Sequence, residues 1–461
     1  MRTVELSQLA QWCEGRLLGD DLTISGISTD SRDNLHGALF VALRGERFDA
    51  HEFVAQAKAN GAAALLTHRP VDSDLPTILC ADTEEALGEI AAGFARTRSA
   101  VVLALTGSNG KTSVKTLLHA ILSRAGKAFV NPGNRNNEIG LPLAVIEAPE
   151  DAQFAIYEMG AGKPGDIAYL TSIVTPNIAL VNNIAPAHIE RMGSLLGIAE
   201  TKGAIYEALP DDGLAVVNVD DAFCPYFLER IAGRGILRFG LENNADVTAG
   251  KILPGADGTR FELITPAGRA EVELQMPGRH NVLNALAASA MALAAGAPFE
   301  AIIAGLQSAK PVAGRQEGKL LANGAVLIDD SYNANPGSVL AGIASLAAAC
   351  ALDGRQSLLV LGDMAELGDT ALDLHAQIGA AAKSQGIAAM MTCGVLSRAA
   401  CDAFGDGARH FPDRAGLIQA LTGSVAGSQR VLIKGSRSSR MDEIVSALLQ
   451  TYGTQEKPDA A

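Results

Sequence analysis

The chain has 461 residues, a length that corresponds to about three domains at about 150 residues each. Apolar residues make up 48% of the chain and charged residues 19%, a balance that excludes wholesale disorder. The net charge of −14 argues against a nucleic-acid partner, because binding to a phosphate backbone needs a basic face.

The cysteines and the apolar stretches bear on the compartment. The six cysteines are dispersed and form no C-x-x-C pair, which favours free thiols in a reducing compartment. The N-terminus reaches Glu5 before any apolar run begins and does not fit a signal peptide. Two uncharged stretches, 167–189 and 280–299, contain proline or asparagine and favour α/β segments or a buried helix over membrane spans. We therefore expect a cytoplasmic protein without integral membrane contact.

The first part of the chain, to about residue 98, mixes short strands with amphipathic helices. The apolar run ALFVAL at 38–43 predicts a strand, HEFVAQAKANG at 51–61 a helix ended by glycine, and AALLT at 63–67 a second strand. This β-α-β order predicts a small mixed α/β domain over residues 1–98.

Regular strand–helix alternation follows in two further units. In the first, VVLAL at 101–105 is a bare apolar run typical of a buried parallel strand. Further strands are predicted at 155–159, 177–184 and 214–219, an antiparallel flank at 261–276, and helices at 113–125 and from 280 to 308. In the last unit, strands at 325–330, 357–363, 390–394 and 430–435 predict a doubly wound, Rossmann-like sheet. The predicted domains are 1–98, 99–313 and 314–461.

A glycine-containing loop, TGSNGKTS at 106–113, lies between the strand at 101–105 and the helix that follows. Gly107 and Gly110 let backbone amides converge on phosphates, while Lys111 reaches the terminal phosphates and the Thr112 hydroxyl binds Mg²⁺. The general phosphate-loop pattern expects glycine at position 105, where this chain has Leu105. An ordinary glycine turn with a surface lysine is the alternative, but the strand–loop–helix context favours nucleotide binding.

Three polar side chains lie on or just after strands and helices that are predicted near this loop. Glu158 ends a strand predicted to be parallel to 101–105, where a carboxylate would complete Mg²⁺ coordination. By position alone, a solvent-facing or helix-capping glutamate fits equally well. His188 follows the strand at 177–184, and Lys202 falls on the next predicted helix. From the sequence pattern alone, an exposed or structural side chain is the more frequent case for both His188 and Lys202.

Together, these motifs resemble those of the Mur ligase family of ATP-dependent amide-forming enzymes. The resemblance covers nearly the whole chain, from DSR at 30–32 and GERFDAHEF at 45–53 to KGSRSSRMDE at 434–443, and includes RHNVLNALAA at 279–288. Within the family, the resemblance is to the branch that adds a dipeptide. Three segments indicate this branch: NPGNRNNEIGLPL (131–143), DDSYNANPGS (329–338) and LGDMAELG (361–368).

The resemblance implies a UDP-sugar-binding N-terminal domain, a central ATP-binding ligase domain and a Rossmann-like C-terminal domain. It implies a ligase that joins D-alanyl-D-alanine to UDP-N-acetylmuramoyl-tripeptide through an acyl phosphate, with ATP and two Mg²⁺ ions as cofactors. We expect a monomer in the cytoplasm that contributes to peptidoglycan synthesis. The identity of the third peptide residue, diaminopimelate or lysine, stays open.

The resemblance also implies roles for individual residues. Lys111, His188 and Lys202 are the implied catalytic residues. Thr112 and Glu158 would hold one Mg²⁺, and His188 with a carbamylated Lys202 the second. The implied nucleotide-binding residues are Gly107, Ser108, Asn109, Gly110, Lys111, Thr112, Ser113, Asn281, Arg315, Asp330 and Asn335. The implied substrate contacts are Ser31, Arg32 and Arg47 for the uridine diphosphate, Asn136 and Asn137 for the sugar peptide, and Lys434, Ser436 and Arg437 for the dipeptide and the reacting carboxyl.

Three alternative functions remain to be tested. Another amide ligase of the same family, including folylpolyglutamate synthase, would share the phosphate loop but not the three segments that indicate the dipeptide-adding branch. A small-molecule kinase would stop at phosphorylation and give no peptide product. A non-catalytic nucleotide-binding regulator would need no metal-binding residues beside the loop.

Overall fold

The computed structural model describes residues 1–45, 48–186, 189–231 and 233–455. Within these ranges the helices and strands form three α/β units in chain order, which confirms the predicted fold class. The predicted divisions after residues 98 and 313 fall in connections between elements and stay predictions.

The first unit is a small mixed sheet with helices. Its elements are β1 Val4–Glu5, α1 Leu6–Trp12, β2 Arg16–Leu18, β3 Thr23–Ile24, β4 Gly26–Ser28, β5 Ala38–Val41, α2 Val54–Ala59, β6 Ala64–Thr67, β7 Thr77–Leu79 and α3 Thr83–Arg96. Strands β4 to β7 are parallel, β2 adds antiparallel at the edge, and β1 pairs with β3. The helix predicted from residue 51 begins instead with a 3-10 turn, Ala50–Phe53, because Asp49 accepts from the backbone N–H of His51.

The second unit contains a six-stranded parallel sheet in the order β13-β12-β11-β8-β10-β9. Its strands are β8 Val101–Thr106, β9 Ala128–Val130, β10 Phe154–Glu158, β11 Ile178–Val181, β12 Leu214–Asn218 and β13 Gly235–Phe239. The antiparallel flank is β14 Thr248–Pro254, β15 Thr259–Thr265 and β16 Gly268–Leu274. The helices are α4 Lys111–Ala125, α5 Gly140–Glu147, α6 Asp166–Ile173, α7 Ile189–Met192, α8 Leu195–Glu207, α9 Cys224–Ile231, α10 Arg279–Ala294 and α11 Phe299–Ser308.

The strand that precedes the phosphate loop lies inside this sheet. β8 is covered by neighbours on both edges, and Leu103 and Leu105 are fully buried, as its bare apolar sequence predicts. The uncharged stretch from residue 280 forms α10, whose side chains pack in the core between the sheet and the antiparallel flank. It is a buried helix, as predicted.

The third unit has a six-stranded sheet in the order β17-β18-β22-β19-β20-β21. Its elements are β17 Glu317–Leu320, β18 Val326–Asp330, α12 Pro336–Asp353, β19 Gln356–Gly362, α13 Ala371–Ser384, β20 Ala389–Cys393, α14 Arg398–Phe404, β21 Ala408–Phe411, α15 Arg414–Thr422, β22 Gln429–Lys434 and α16 Asp442–Tyr452, with 3-10 turns at Gly368–Thr370 and Arg437–Ser439. The strands are parallel except β17 at the edge. Alternate residues of β19 enter two separate cores, so both faces are covered, as in a doubly wound sheet.

Two further features of the third unit concern α12 and β22. Among the described helices, α12 alone has the length and apolar composition of a membrane span, and its buried face packs on β19 and β22. Arg430 of β22 is buried and ion-paired with Asp353 at 2.6 Å and with Asp257, in the β14–β15 turn of the second unit, at 3.1 Å. The second and third units are therefore in direct polar contact.

We expect Tyr206→Phe to lower the free energy of unfolding by about 1–3 kcal/mol. The fully buried Tyr206 hydroxyl donates to the carbonyl of Val216 at 2.7 Å and accepts from the N–H of Val181 at 2.9 Å, so its loss leaves both groups without that partner. Tyr169→Phe is the matched control, because the buried Tyr169 hydroxyl has no hydrogen-bond partner among the described residues. Urea unfolding compares the two variants; equal effects would contradict this assignment.

Candidate active site

The carboxyl ends of strands from the second and third units open into one cavity of about 930 Å³. The phosphate loop follows β8, Glu158 ends β10, and Asp330 ends β18. The lining side chains include Ser108, Asn109, Lys111, Thr112, Ser113, Asn136, Asn137, Glu158, Asn281, Arg315, Asp330, Asn335 and Lys434. In each parallel sheet the carboxyl ends of the strands lie at one edge. The edges of the two sheets face the same cavity, so the second and third units both contribute to it.

The phosphate loop has the conformation that its glycines allow. Gly110 has a φ of 77° and immediately precedes α4, so the amides of the first turn of α4 face the cavity. A Cβ atom at position 110 would lie 2.6 Å from Nδ2 of Asn182 and still closer to Oδ1 of Asn284. The Lys111 ammonium donates to the carbonyl of Gly107 at 2.7 Å and thus folds over the loop.

Asparagine side chains from β11 and its extension fix the loop from behind. Asn183 accepts from the N–H of Asn109 at 2.8 Å and donates to its carbonyl at 3.1 Å. Asn182 donates to the same carbonyl at 3.0 Å and to Asn284 of α10 at 3.1 Å. The strand predicted over 177–184 ends early, at Val181. The N–H of Asn182 still bonds to Thr106 of β8, but the backbone of Asn183 bonds to the loop, at Ser108.

The Glu158 carboxylate, 3% exposed, is surrounded by donors. Oε2 accepts from the Thr112 hydroxyl at 3.0 Å and lies 3.3 Å from the Lys115 ammonium, while Oε1 accepts from Asn136 at 2.9 Å. Burial acts to raise the pKa of Glu158, but Lys115, Lys111 and Arg315 together with the Asn136 hydrogen bond outweigh it and hold the pKa below its ordinary value. The group is therefore an anion at neutral pH.

Lys202 of α8 is 2% exposed and is not a surface lysine. Burial lowers its pKa to about 7, and repulsion by Lys111 adds to this effect, against a weaker opposing attraction by Asp166. A substantial fraction of this side chain is therefore a neutral amine at neutral pH.

Residues of the third unit close the other side of the cavity. Asp330 pairs with Lys434 at 2.9 Å, and Arg315 lies 4.4 Å from the ring centre of Tyr332. Asn335 caps the N-terminus of α12 and donates through Nδ2 to Oδ1 of Asn109 at 2.7 Å. The phosphate loop is thus hydrogen-bonded directly to the third unit.

This arrangement fits a nucleoside triphosphate with Mg²⁺. The glycine at 110 leaves the space that a phosphate-binding loop needs, and the amides of the α4 N-terminus favour anions. A hydroxyl and a carboxylate oxygen, from Thr112 and Glu158, are hard donors that Mg²⁺ combines with phosphate oxygens and water. Across the described ranges, no three His, Cys, Asp or Glu side chains cluster as a metal site.

Comparison with protein families gives matches over all three units. Residues 105–292 match the Mur ligase middle domain, 314–437 the Mur ligase glutamate ligase domain, and 23–95 the Mur ligase family catalytic domain. The chain belongs to the Mur ligase family.

Full-length relatives agree with this membership. A UDP-N-acetylmuramoyl-tripeptide–D-alanyl-D-alanine ligase of Escherichia coli (strain K12) is 46% identical over 98% of this chain and 100% of its own. The crystal structure of MurF from Acinetobacter baumannii superposes with a TM-score of 0.92 at 34% identity, covering 98% of this chain and 99% of that one. MurF from Thermotoga maritima, solved in complex with ADP, gives 0.82 at 27% identity, covering 92% and 97%. This Mur ligase is therefore similar to those proteins along its whole length.

Most of the residues assigned by resemblance lie around the one cavity. Those that line it are Ser108, Asn109, Gly110, Lys111, Thr112, Ser113, Asn136, Asn137, Glu158, Asn281, Arg315, Asp330, Asn335 and Lys434. Gly107 belongs to the same loop, and its carbonyl accepts from the Lys111 ammonium. The predicted residues His188 and Arg47 lie outside the described part of the chain.

The other assigned residues that the structure describes, the buried Lys202 among them, do not line this cavity. Ser31 and Arg32 belong to the first unit, where Ser31 donates to Gln56 at 3.1 Å and Arg32 pairs with Asp30 at 2.6 Å. Ser436 is buried and joins two loops, accepting from the N–H of Ala365 and donating to the carbonyl of Ala334. Their substrate roles, and that of the exposed Arg437, stay predictions.

Several site residues escaped the sequence analysis. Lys115 and the asparagines 182, 183 and 284 contact the loop or Glu158, yet none belongs to the phosphate-loop pattern itself. Lys115 carries a usable signal, because it lies four residues after Lys111 and hence one helical turn further along the same face. The pair Asn182–Asn183 gives a second sequence signal. Two amide side chains that directly follow an apolar strand need hydrogen-bond partners if they are buried, so a polar neighbour can be expected there.

We expect Gly110→Ala to weaken ADP binding by at least about tenfold, because the added methyl group overlaps Asn284 and Asn182 and displaces the loop. Gly386→Ala is the matched control. Gly386, between α13 and β20, has a φ of 78°, but a Cβ there meets nothing within 4 Å. Isothermal titration calorimetry with ADP and Mg²⁺ measures both variants. An unaltered affinity in a folded Gly110→Ala protein would contradict the proposed phosphate site.

Proposed function

We propose that this Mur ligase uses ATP to join D-alanyl-D-alanine to UDP-N-acetylmuramoyl-tripeptide, the last cytoplasmic step toward the UDP-N-acetylmuramoyl-pentapeptide of peptidoglycan. The observation that carries the proposal is one cavity that combines a phosphate loop, the Thr112–Glu158 pair and residues of the third unit. The name of the E. coli relative supports the choice of substrates.

In the first step, a tripeptide carboxylate oxygen attacks the γ-phosphorus of ATP, and the bond to the β-phosphate oxygen breaks to release ADP. Phosphoryl transfer needs positioning and charge neutralisation more than covalent help. Lys111, folded over the loop, would turn toward the β- and γ-phosphates. Thr112 and Glu158 would hold one Mg²⁺, which would neutralise further phosphate charge, and His188 and Lys202 would hold a second ion.

In the second step, the amine of D-alanyl-D-alanine attacks the acyl phosphate carbonyl. The resulting tetrahedral intermediate expels phosphate, and the attacking nitrogen loses a proton to give the amide. Water must be kept away from the acyl phosphate. The hydrogen bond between Asn335 and Asn109 supports a closed cleft, in which the third unit covers the phosphate loop. Lys434, beside Asp330, is the cavity-lining cation that we assign to the incoming dipeptide and the reacting carboxyl.

The sugar-nucleotide end is assigned to the first unit, through Ser31, Arg32 and Arg47. Asn136 and Asn137 line the cavity on the side of Glu158 and would contact the peptide portion. All six cysteines are free thiols, which supports a reducing compartment. We further propose that the protein acts as a monomer in the cytoplasm.

We propose that Lys202 acts as a carbamate. The ammonium first loses one proton, and the neutral amine then adds to CO₂ with the loss of a second proton, so the charge at this site changes from +1 in the ammonium to −1 in the carbamate. An ammonium has no lone pair for a metal, whereas a carbamate offers the hard oxygens that Mg²⁺ favours. The burial and the nearby Lys111 that lower the pKa of Lys202 to about 7 supply the neutral amine that this addition needs.

The reaction itself is tested with ATP, UDP-N-acetylmuramoyl-tripeptide and D-alanyl-D-alanine. We expect ADP and phosphate to accumulate in step with a pentapeptide product identified by mass spectrometry, and steady turnover to require the dipeptide. A kinase would release ADP without the dipeptide and leave a phosphorylated tripeptide, and a regulator would release none. Glutamate in place of the dipeptide tests for a folylpolyglutamate synthase-like ligase. Any of these three results would overturn the proposal.

We expect Lys202→Ala to lose most ligase activity and acetate or formate to restore part of it, because a small anion fills the position of the carbamate. Activity of the wild type should fall as the pH drops through about 7, where the amine becomes protonated and no longer reacts with CO₂. Bicarbonate depletion should weaken the wild type but not the variant. Lys127→Ala, which removes an exposed lysine paired with Asp151, is the control. Wild-type turnover by Lys202→Ala would refute the assignment.

A further inference from the structure

Lys115 is a buried lysine to which the proposed reaction assigns no role. It lies one turn after Lys111 on α4, is 5% exposed and does not line the cavity. Its ammonium donates to the carbonyls of Asn131 at 3.1 Å and Gly133 at 2.9 Å, and lies 3.3 Å from Oε2 of Glu158. The three hydrogens of an ammonium are therefore matched by three acceptors.

The acceptors of Lys115 belong to two different parts of the site. Glu158 ends β10, while Asn131 and Gly133 begin the segment that leads to Asn136. A second set of bonds joins the same two parts, since Asn131 accepts from the N–H of Glu158 at 2.9 Å and donates to its carbonyl at 3.1 Å. Asn136 closes the ring by donating to Oε1 of Glu158.

The charge of Lys115 matters more than its packing. Removing one partner of a buried ion pair leaves the other charge uncompensated, which is strongly unfavourable. Here the remaining charge would be the Glu158 carboxylate, which then repacks toward other donors. The two carbonyls at 131 and 133 would lose their donor at the same time, so the segment that carries Asn136 would shift with it.

We propose that Lys115 is a positioning residue that fixes the Glu158 carboxylate and segment 131–136 as one unit, so that metal binding and binding of the sugar peptide are set together. The inference rests on the proposed function for the identity of the sugar peptide, but its metal part does not. Lys115 does not line the cavity, so it acts through Glu158 and Asn136.

Lys115→Met tests this, because methionine keeps most of the side-chain length without the charge. We expect the Mg²⁺ concentration for half-maximal stimulation of ADP binding, measured by calorimetry, to rise by about tenfold or more. The KM for UDP-N-acetylmuramoyl-tripeptide should rise with it, while the KM for D-alanyl-D-alanine stays within about twofold, because that substrate is assigned to the third unit. Lys127→Met, at an exposed ion pair beside β9, should change none of the three.

If Lys115 only stabilised the fold, the result would be different. Lys115→Met would lower the thermal midpoint and the fraction of active protein, yet leave the Mg²⁺ dependence and both KM values of the folded fraction unchanged, and this would overturn the proposal.

If Lys115→Met does not fold, Lys115→Arg is the test variant, since arginine keeps the charge but shifts the positions of Glu158 and of the carbonyls at 131 and 133. A joint shift of Mg²⁺ dependence and tripeptide KM supports the proposal, and a shift of one alone or of neither overturns it. If the wild type binds Mg²⁺ and ADP but makes no pentapeptide, the proposed function fails while the metal part remains measurable.

Discussion

The buried carboxylate of Glu158 is the group on which the geometry of the cleft depends, because a negative charge inside a protein is stable only among its partners. The parallel register of β10 against β8 places it beside the phosphate loop. Thr112 approaches from α4, Lys115 from the next turn of the same helix, and Asn136 from the segment after β9. Glu158 therefore joins the phosphate loop to the segment that we propose contacts the sugar peptide.

Positive charge gathers around this anchor and acts at a distance as well as by contact. Lys111 and Arg315 help to keep Glu158 ionised, and Lys111 also disfavours the ammonium form of Lys202. One lysine thus favours both the anionic form of Glu158 and the neutral amine of Lys202. A site that binds a highly charged nucleotide has this surplus of cations, and the phosphates balance it on binding.

The sequence predicted those parts of the site that are contiguous. An apolar run, a glycine loop and a helix follow one another in the chain, so their geometry is local and the phosphate loop was predictable. The role of Glu158 stayed open, because the alignment of β10 with β8 is a long-range pairing that no local pattern contains. Lys115 was missed for the same reason. A lysine on a helix is normally exposed, and the carbonyls that bury this one come from the segment after β9. The strand at 177–184 was predicted too long, since asparagine partners cannot be inferred without the loop beside them.

Two of the contacts that join the second and third units differ in their chemistry. At the phosphate loop the joint is an uncharged amide pair, Asn335 with Asn109, whereas at the β14–β15 turn it is the ion pair of Arg430 with the exposed Asp257. Dissolved ions screen an exposed charge far more than they weaken an amide hydrogen bond. We therefore expect rising ionic strength to weaken the contact of Arg430 with Asp257 more than the contact of Asn335 with Asn109, so that the third unit is held increasingly through the phosphate loop.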